Sequence, residues 1–67
     1  MNMTMLDFKD YFEKRIRVFT ADKVFEGELT GFIDELDSSS KKDEIELDVG
    51  ECYIDIDIPS ILKFEAV

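Results

Sequence analysis

A chain of 67 residues with a net charge of −9, 45% hydrophobic and 12% aromatic, reads as one small acidic globular domain and not as a disordered segment. With no histidine and a single cysteine, Cys52, it has neither an internal disulfide nor a credible zinc ligand set, so self-association is the expected supplement to a small core. The longest uncharged run, Met1 to Leu6, is too short for a membrane span or a secretory signal, which makes the cytoplasm the expected compartment.

The first element reads as an amphipathic helix over Thr4–Lys14. Thr4 is placed to cap it, Asp7 lies in the first turn, and Met5, Phe8 and Phe12 recur at helical spacing with Tyr11 beside them. So short a helix does not persist alone, and its aromatic face must dock on a core.

The period then changes to that of a strand. Over Arg15–Ala21, Ile16, Val18 and Thr20 share one face while Arg17 and Phe19 share the other. Asp22-Lys23 reads as a two-residue turn, which sets Ile16 opposite Leu29, Val18 opposite Gly27 and Arg17 opposite Glu28. The second strand runs from Val24 to Asp34 with Phe25, Gly27, Leu29, Gly31 and Ile33 on its apolar face. Paired glycines inside a strand point to a sharp bend or a close backbone approach.

Glu35–Glu44 is a polar loop without glycine, hence without a phosphate cradle. A third strand, Ile45–Val49, turns at Gly50-Glu51 into a fourth, Cys52–Ile58, whose Cys52, Ile54, Ile56 and Ile58 alternate with Tyr53, Asp55 and Asp57. Pro59-Ser60 breaks the ladder before a last strand, Ile61–Ala66. The expected architecture is mainly β: an N-terminal α-helix followed by a strongly bent five-stranded antiparallel small barrel, all in a single domain over residues 1–67, with another small barrel of SH3-like type as the alternative.

Catalysis and metal binding find little support. Cys52 falls on the apolar side of a strand with no base beside it, where it reads as a small buried hydrophobe. The abundant acids include no calcium-loop pattern, and Asp55 and Asp57 read as guards that keep an isoleucine-rich strand from wrong partners. No enzyme activity, metal or cofactor is expected. Charge is uneven: residues 1–23 hold five bases against four acids, whereas residues 24–67 hold three bases against thirteen acids. Nucleic-acid affinity comes mainly from cations that neutralise phosphates, so DNA and anionic membrane surfaces are not expected partners. Lys14, Arg15 and Arg17 form the one basic cluster; its plainer role is to favour the end of the preceding helix and to pair with strand acids.

The stretch Val24-Phe25-Glu26-Gly27-Glu28-Leu29-Thr30-Gly31-Phe32-Ile33-Asp34, preceded by Ile16-Arg17-Val18-Phe19-Thr20, resembles the first motif of the Sm/LSm-like family, and Ile54-Asp55-Ile56-Asp57-Ile58-Pro59-Ser60-Ile61 resembles the second. Together they span roughly residues 6–66. The resemblance implies a homo-oligomeric ring of six or seven copies closed by pairing the fourth strand of one subunit with the fifth of the next. Ile54, Ile56, Ile58, Leu62 and Phe64 would line that seam. It also implies single-stranded, often U-rich RNA as a ligand, with contacts from the loop after the second strand and from the turn between the fourth and fifth.

Both contact places depart from the family pattern. Ser38 stands where Asn is expected, Asp37 precedes it, and Pro59-Ser60 replaces Arg-Gly. Two readings follow. One is a ring repurposed as a scaffold or protein-interaction module, in a phage-related or regulatory setting. The other is weak or specialised RNA binding in which Lys14, Arg15, Asp34 and Ser38 are the candidate contacts.

Overall fold

Residues 3–67 are described by a computed structural model, and the first element begins where its capping residues stand. Thr4 accepts a hydrogen bond from the Leu6 amide while Asp7 accepts one from the Thr4 amide at 2.7 Å, a complete capping box. The helix it opens, α1 (Met5–Phe8), is shorter than the expected Thr4–Lys14 and passes into a single 3₁₀ turn, Lys9–Tyr11. The reason is competition from the sheet: the Glu13 amide donates to the Leu29 carbonyl at 2.8 Å and the Leu29 amide to the Lys14 carbonyl at 3.0 Å. Glu13 swings to a φ of 67° to make that turn.

Five strands follow: β1 (Arg15–Thr20), β2 (Val24–Ile33), β3 (Glu44–Asp48), β4 (Tyr53–Asp57) and β5 (Ile61–Ala66), with a 3₁₀ turn at Ile58–Ser60 between the last two. They form one antiparallel sheet in the order β4-β3-β2-β1-β5. The fold is therefore mainly β with a short N-terminal helix, but the sheet is not closed into the expected barrel. Among the described residues no ladder joins β4 to β5, and these two remain its outer strands.

The β1–β2 hairpin keeps the expected faces in a different register. Ile16 pairs with Gly27, Arg17 with Glu26 and Val18 with Phe25, a shift of two residues from the expected pairing. The Thr20 hydroxyl causes it: the Thr20 amide donates to the Lys23 carbonyl at 2.9 Å while its Oγ1 accepts from the Lys23 amide at 3.2 Å, so Ala21-Asp22 becomes the loop. A shift of two preserves side-chain parity, and Ile16 and Leu29 are both buried.

Further along β2 the parity does change. The β2–β3 pairing runs Leu29 with Leu47 and then Gly31 with Glu46, leaving Thr30 as a bulge whose hydroxyl bonds the Glu46 carbonyl at 3.3 Å. Beyond it Phe32, not the expected Ile33, lies opposite buried Ile45 and against the core. The bend itself is served by Gly27, where a Cβ would fall against the Asp48 carbonyl.

Phe8, Ile16, Val18, Leu29, Ile45, Leu47, Ile56, Ile58 and Ile61 form the core. The helix is pinned to it by Phe8 stacked on Phe64 at 4.3 Å and by Tyr11 edge-on to the same ring at 5.0 Å. Cys52, expected to be buried in the fourth strand, is exposed: it closes the Val49–Cys52 turn, its carbonyl accepting from the Val49 amide, with Gly50 at φ 104°.

Candidate functional site

The two outer strands and the loops at one end of the sheet hold the candidate residues, and they do so in separate places. On β4, Ile54 is half-buried opposite Leu47 and Ile56 is buried opposite Ile45. Ile58 is buried in the 3₁₀ turn, its amide held by the Asp43 carbonyl at 2.8 Å. On β5, Phe64 is half-buried beneath α1, whereas Leu62 is 66% exposed beside the irregularity in the β1–β5 pairing. The edges thus keep apolar groups of two kinds: Ile56 and Ile58 already serve the subunit's own core, while Leu62 has no cover.

Between the β1–β2 turn and β4 runs an open groove of about 540 Å³. Phe25, Ile56 and Leu62 supply its apolar lining and Asp22, Asp55 and Asp57 its acids.

The candidate nucleic-acid contacts do not converge. Asp34 accepts the Leu36 amide at 3.1 Å and the Asp37 amide at 3.2 Å, so its carboxylate opens the loop. Ser38 is buried, and its hydroxyl donates to the Lys42 carbonyl at 2.6 Å while accepting the Lys42 amide at 2.9 Å. Both side chains are occupied in folding the loop. Lys14 and Arg15 lie elsewhere, near Glu28 and Leu29 of β2, roughly 20 Å along the strand from Asp34 at about 3.3 Å per residue.

Arg15 is not a free cation. Its Nε bonds Glu26 at 3.0 Å, and Arg17 reaches the same carboxylate at 3.1 Å and Glu65 at 3.2 Å. Glu26 thus replaces the expected Glu28 as the partner of Arg17 and takes Arg15 as well. Hydrogen bonds from Arg15 and then Arg17 hold the Glu26 carboxyl below its ordinary range.

Sequence reasoning passed over Lys41 and Lys42, which border a cleft of about 200 Å³ with Thr4, Asp43, Ile58 and Pro59. The only sequence signal was the lysine pair itself; that Pro59 closes on it depends on how the two loops fold together. Among the described residues no group of three or more Cys, Asp or Glu is arranged to hold a metal ion, and no helix is long and apolar enough to cross a membrane. Comparison with family models, curated proteins and solved structures finds no match to this chain.

Proposed function

We propose that this protein is an Sm-like, ring-forming scaffold: a non-enzymatic cytoplasmic module that assembles from copies of itself through β4 and β5 and presents its acidic surface to a protein partner. The observation that carries this reading is the strand order β4-β3-β2-β1-β5, in which the outer strands β4 and β5 each have one edge without a partner strand among the described residues. An open sheet edge is a template for another chain, and soluble proteins cover or blunt it. Apolar Leu62 and half-buried Ile54 and Phe64 beside those edges favour a covering strand. The small size of the domain favours the same solution.

Single-stranded RNA is the second reading, favoured by one observation: Lys41 and Lys42 meet Pro59 in a common cleft formed by the two loops in which the resemblance puts RNA contacts. Against it stand the net charge of −9 per chain and the capture of Arg15 and Arg17 by Glu26. Fluorescence anisotropy with a labelled U-tract at two salt concentrations separates the two. The scaffold reading expects binding no tighter than about 10⁻⁵ M, in the non-specific range. Sub-micromolar affinity with a steep salt slope would replace it with the RNA reading. A pull-down with and without nuclease gives the companion test, since partners of a scaffold survive nuclease.

A further inference from the structure

The free edge of β4 is a short row of main-chain groups beside the open groove. At the two ends of the β3–β4 ladder the Val49 amide donates to the Cys52 carbonyl and the Ile58 amide to the Asp43 carbonyl. Bonding to one neighbour alternates along an antiparallel strand, so within β4 it falls to Ile54 and Ile56. The amides and carbonyls of Tyr53, Asp55 and Asp57 therefore turn to the free side. Of these the Asp57 carbonyl is taken, by the Ser60 hydroxyl at 2.8 Å.

A strand laid along this edge would have its side chains sorted by the two faces of β4. On the core face it meets Ile54, Ile56 and the groove, whose apolar lining Phe25 and the exposed Leu62 complete. On the outer face it meets Asp55 and Asp57, which lie opposite Glu46 and Glu44 of β3. Lys23 is the one base among the residues that line the groove, against Asp22, Asp55 and Asp57. The complement is an extended segment in which aliphatic and basic residues alternate. The sheet already holds one strand of that kind. In β1, Arg15 and Arg17 bond Glu26 and Glu65 of the flanking strands while Ile16 and Val18 are buried.

We infer that β4 and the adjoining groove take up such a segment of a partner protein as an added strand, its aliphatic side chains in the groove and its basic ones against Asp55 and Asp57. The inference rests on the protein partner proposed above and names that partner's chemistry and its place. Main-chain bonds supply the affinity of an added strand, and the alternate side chains supply its specificity. Either strand direction serves, because side chains alternate between the two faces in both. The segment takes the edge that the assembly gives to a second copy, so the two exclude each other on β4.

Fluorescence anisotropy and native mass spectrometry test it together on the full chain. The probe is a labelled, end-capped peptide of alternating Arg and Val, about eight residues long so that it spans β4 at about 3.3 Å per residue. It is expected to bind once per chain and to lower the mass of the oligomer. Peptides of alternating Glu and Val, or Arg and Ser, are each expected to bind at least about tenfold more weakly. Asp55→Asn with Asp57→Asn is expected to weaken binding about three- to tenfold, and Leu62→Asn about tenfold. Asp10→Asn with Glu28→Gln removes the same charge outside the groove and is expected to change it far less. Far-ultraviolet circular dichroism confirms that each variant is folded. A wild type that binds the three peptides alike, binds none of them, or responds equally to the two pairs of acid substitutions overturns the inference, whatever its oligomeric state. A monomeric wild type that binds the Arg and Val peptide selectively overturns the assembly and leaves the groove site standing. Selective binding that leaves an oligomer intact overturns the use of β4 between copies.

Discussion

The outer face of the sheet divides into two halves built on opposite electrostatic plans. Over β1, β2 and β5, Arg15 and Arg17 alternate with Glu26 and Glu65 at 3.0–3.2 Å, each charge answered by a neighbour. Over β3 and β4, acid faces acid: Glu44 lies opposite Asp57 and Glu46 opposite Asp55. Their nearest hydrogen-bond donors are hydroxyls, Ser40 to Glu44 at 2.7 Å and Thr30 to Glu46 at 3.1 Å. The inner faces do not differ in this way, since Ile16, Val18 and Leu29 on one side match Ile45, Leu47 and Ile56 on the other. Apolar burial holds both halves. The acidic half accepts cross-strand repulsion where the other half pairs Arg15 and Arg17 with Glu26 and Glu65.

The joint between the halves is where the comparison breaks most easily. Gly27→Ala would drive a methyl group against the Asp48 carbonyl and Val49, and urea denaturation is expected to show a loss of about 1–3 kcal/mol, the usual cost of overpacking. Gly31→Ala meets only the Glu46 carboxylate at 3.7 Å and is expected to cost much less. Equal losses at the two glycines would remove the special status of the Gly27 joint.

Within the acidic half, Asp55→Asn takes one charge out of an opposed pair and is expected to stabilise the fold by about 0.2–1 kcal/mol. Destabilisation there would mean that the opposed acids are compensated after all.

The basic half is expected to answer to pH. Because Arg15 and Arg17 hold the Glu26 carboxyl below its ordinary value of 4.5, its stabilising contribution is complete above that value and is lost as pH falls through the lowered one. Glu26→Gln is therefore less stable than the wild type at neutral pH, and the gap narrows below pH 4.5. A gap that stays constant in urea melts through that range would sever the link between Glu26 and its arginines.

Much of the fold could be read from residue spacing alone. The Thr4 cap with Asp7, the period change at Arg15, the alternation in β3 and β4 and the turn around Gly50-Glu51 all depend on neighbours a few residues apart. Features decided by distant partners were misread. The helix stops early because Glu13 and Lys14 bond to Leu29. The hairpin shifts because one hydroxyl, that of Thr20, outcompetes a two-residue turn at Asp22-Lys23. The bulge at Thr30 turns Phe32 inward in place of Ile33, and nothing in the alternation of β2 marks where it falls. Cys52 fits the strand's apolar rhythm but is taken by the turn. The candidate site suffers in the same way. Ser38 looked like a ligand contact by position, yet it serves the loop's own backbone, and the cleft of Lys41, Lys42 and Pro59 exists only once two loops have met.

Self-association through β4 and β5 is the central claim, and native mass spectrometry at micromolar protein tests it most directly. The predicted result is one closed species at an integer multiple, above two, of the 7.8 kDa chain. A spectrum that holds only the 7.8 kDa monomer would contradict the claim.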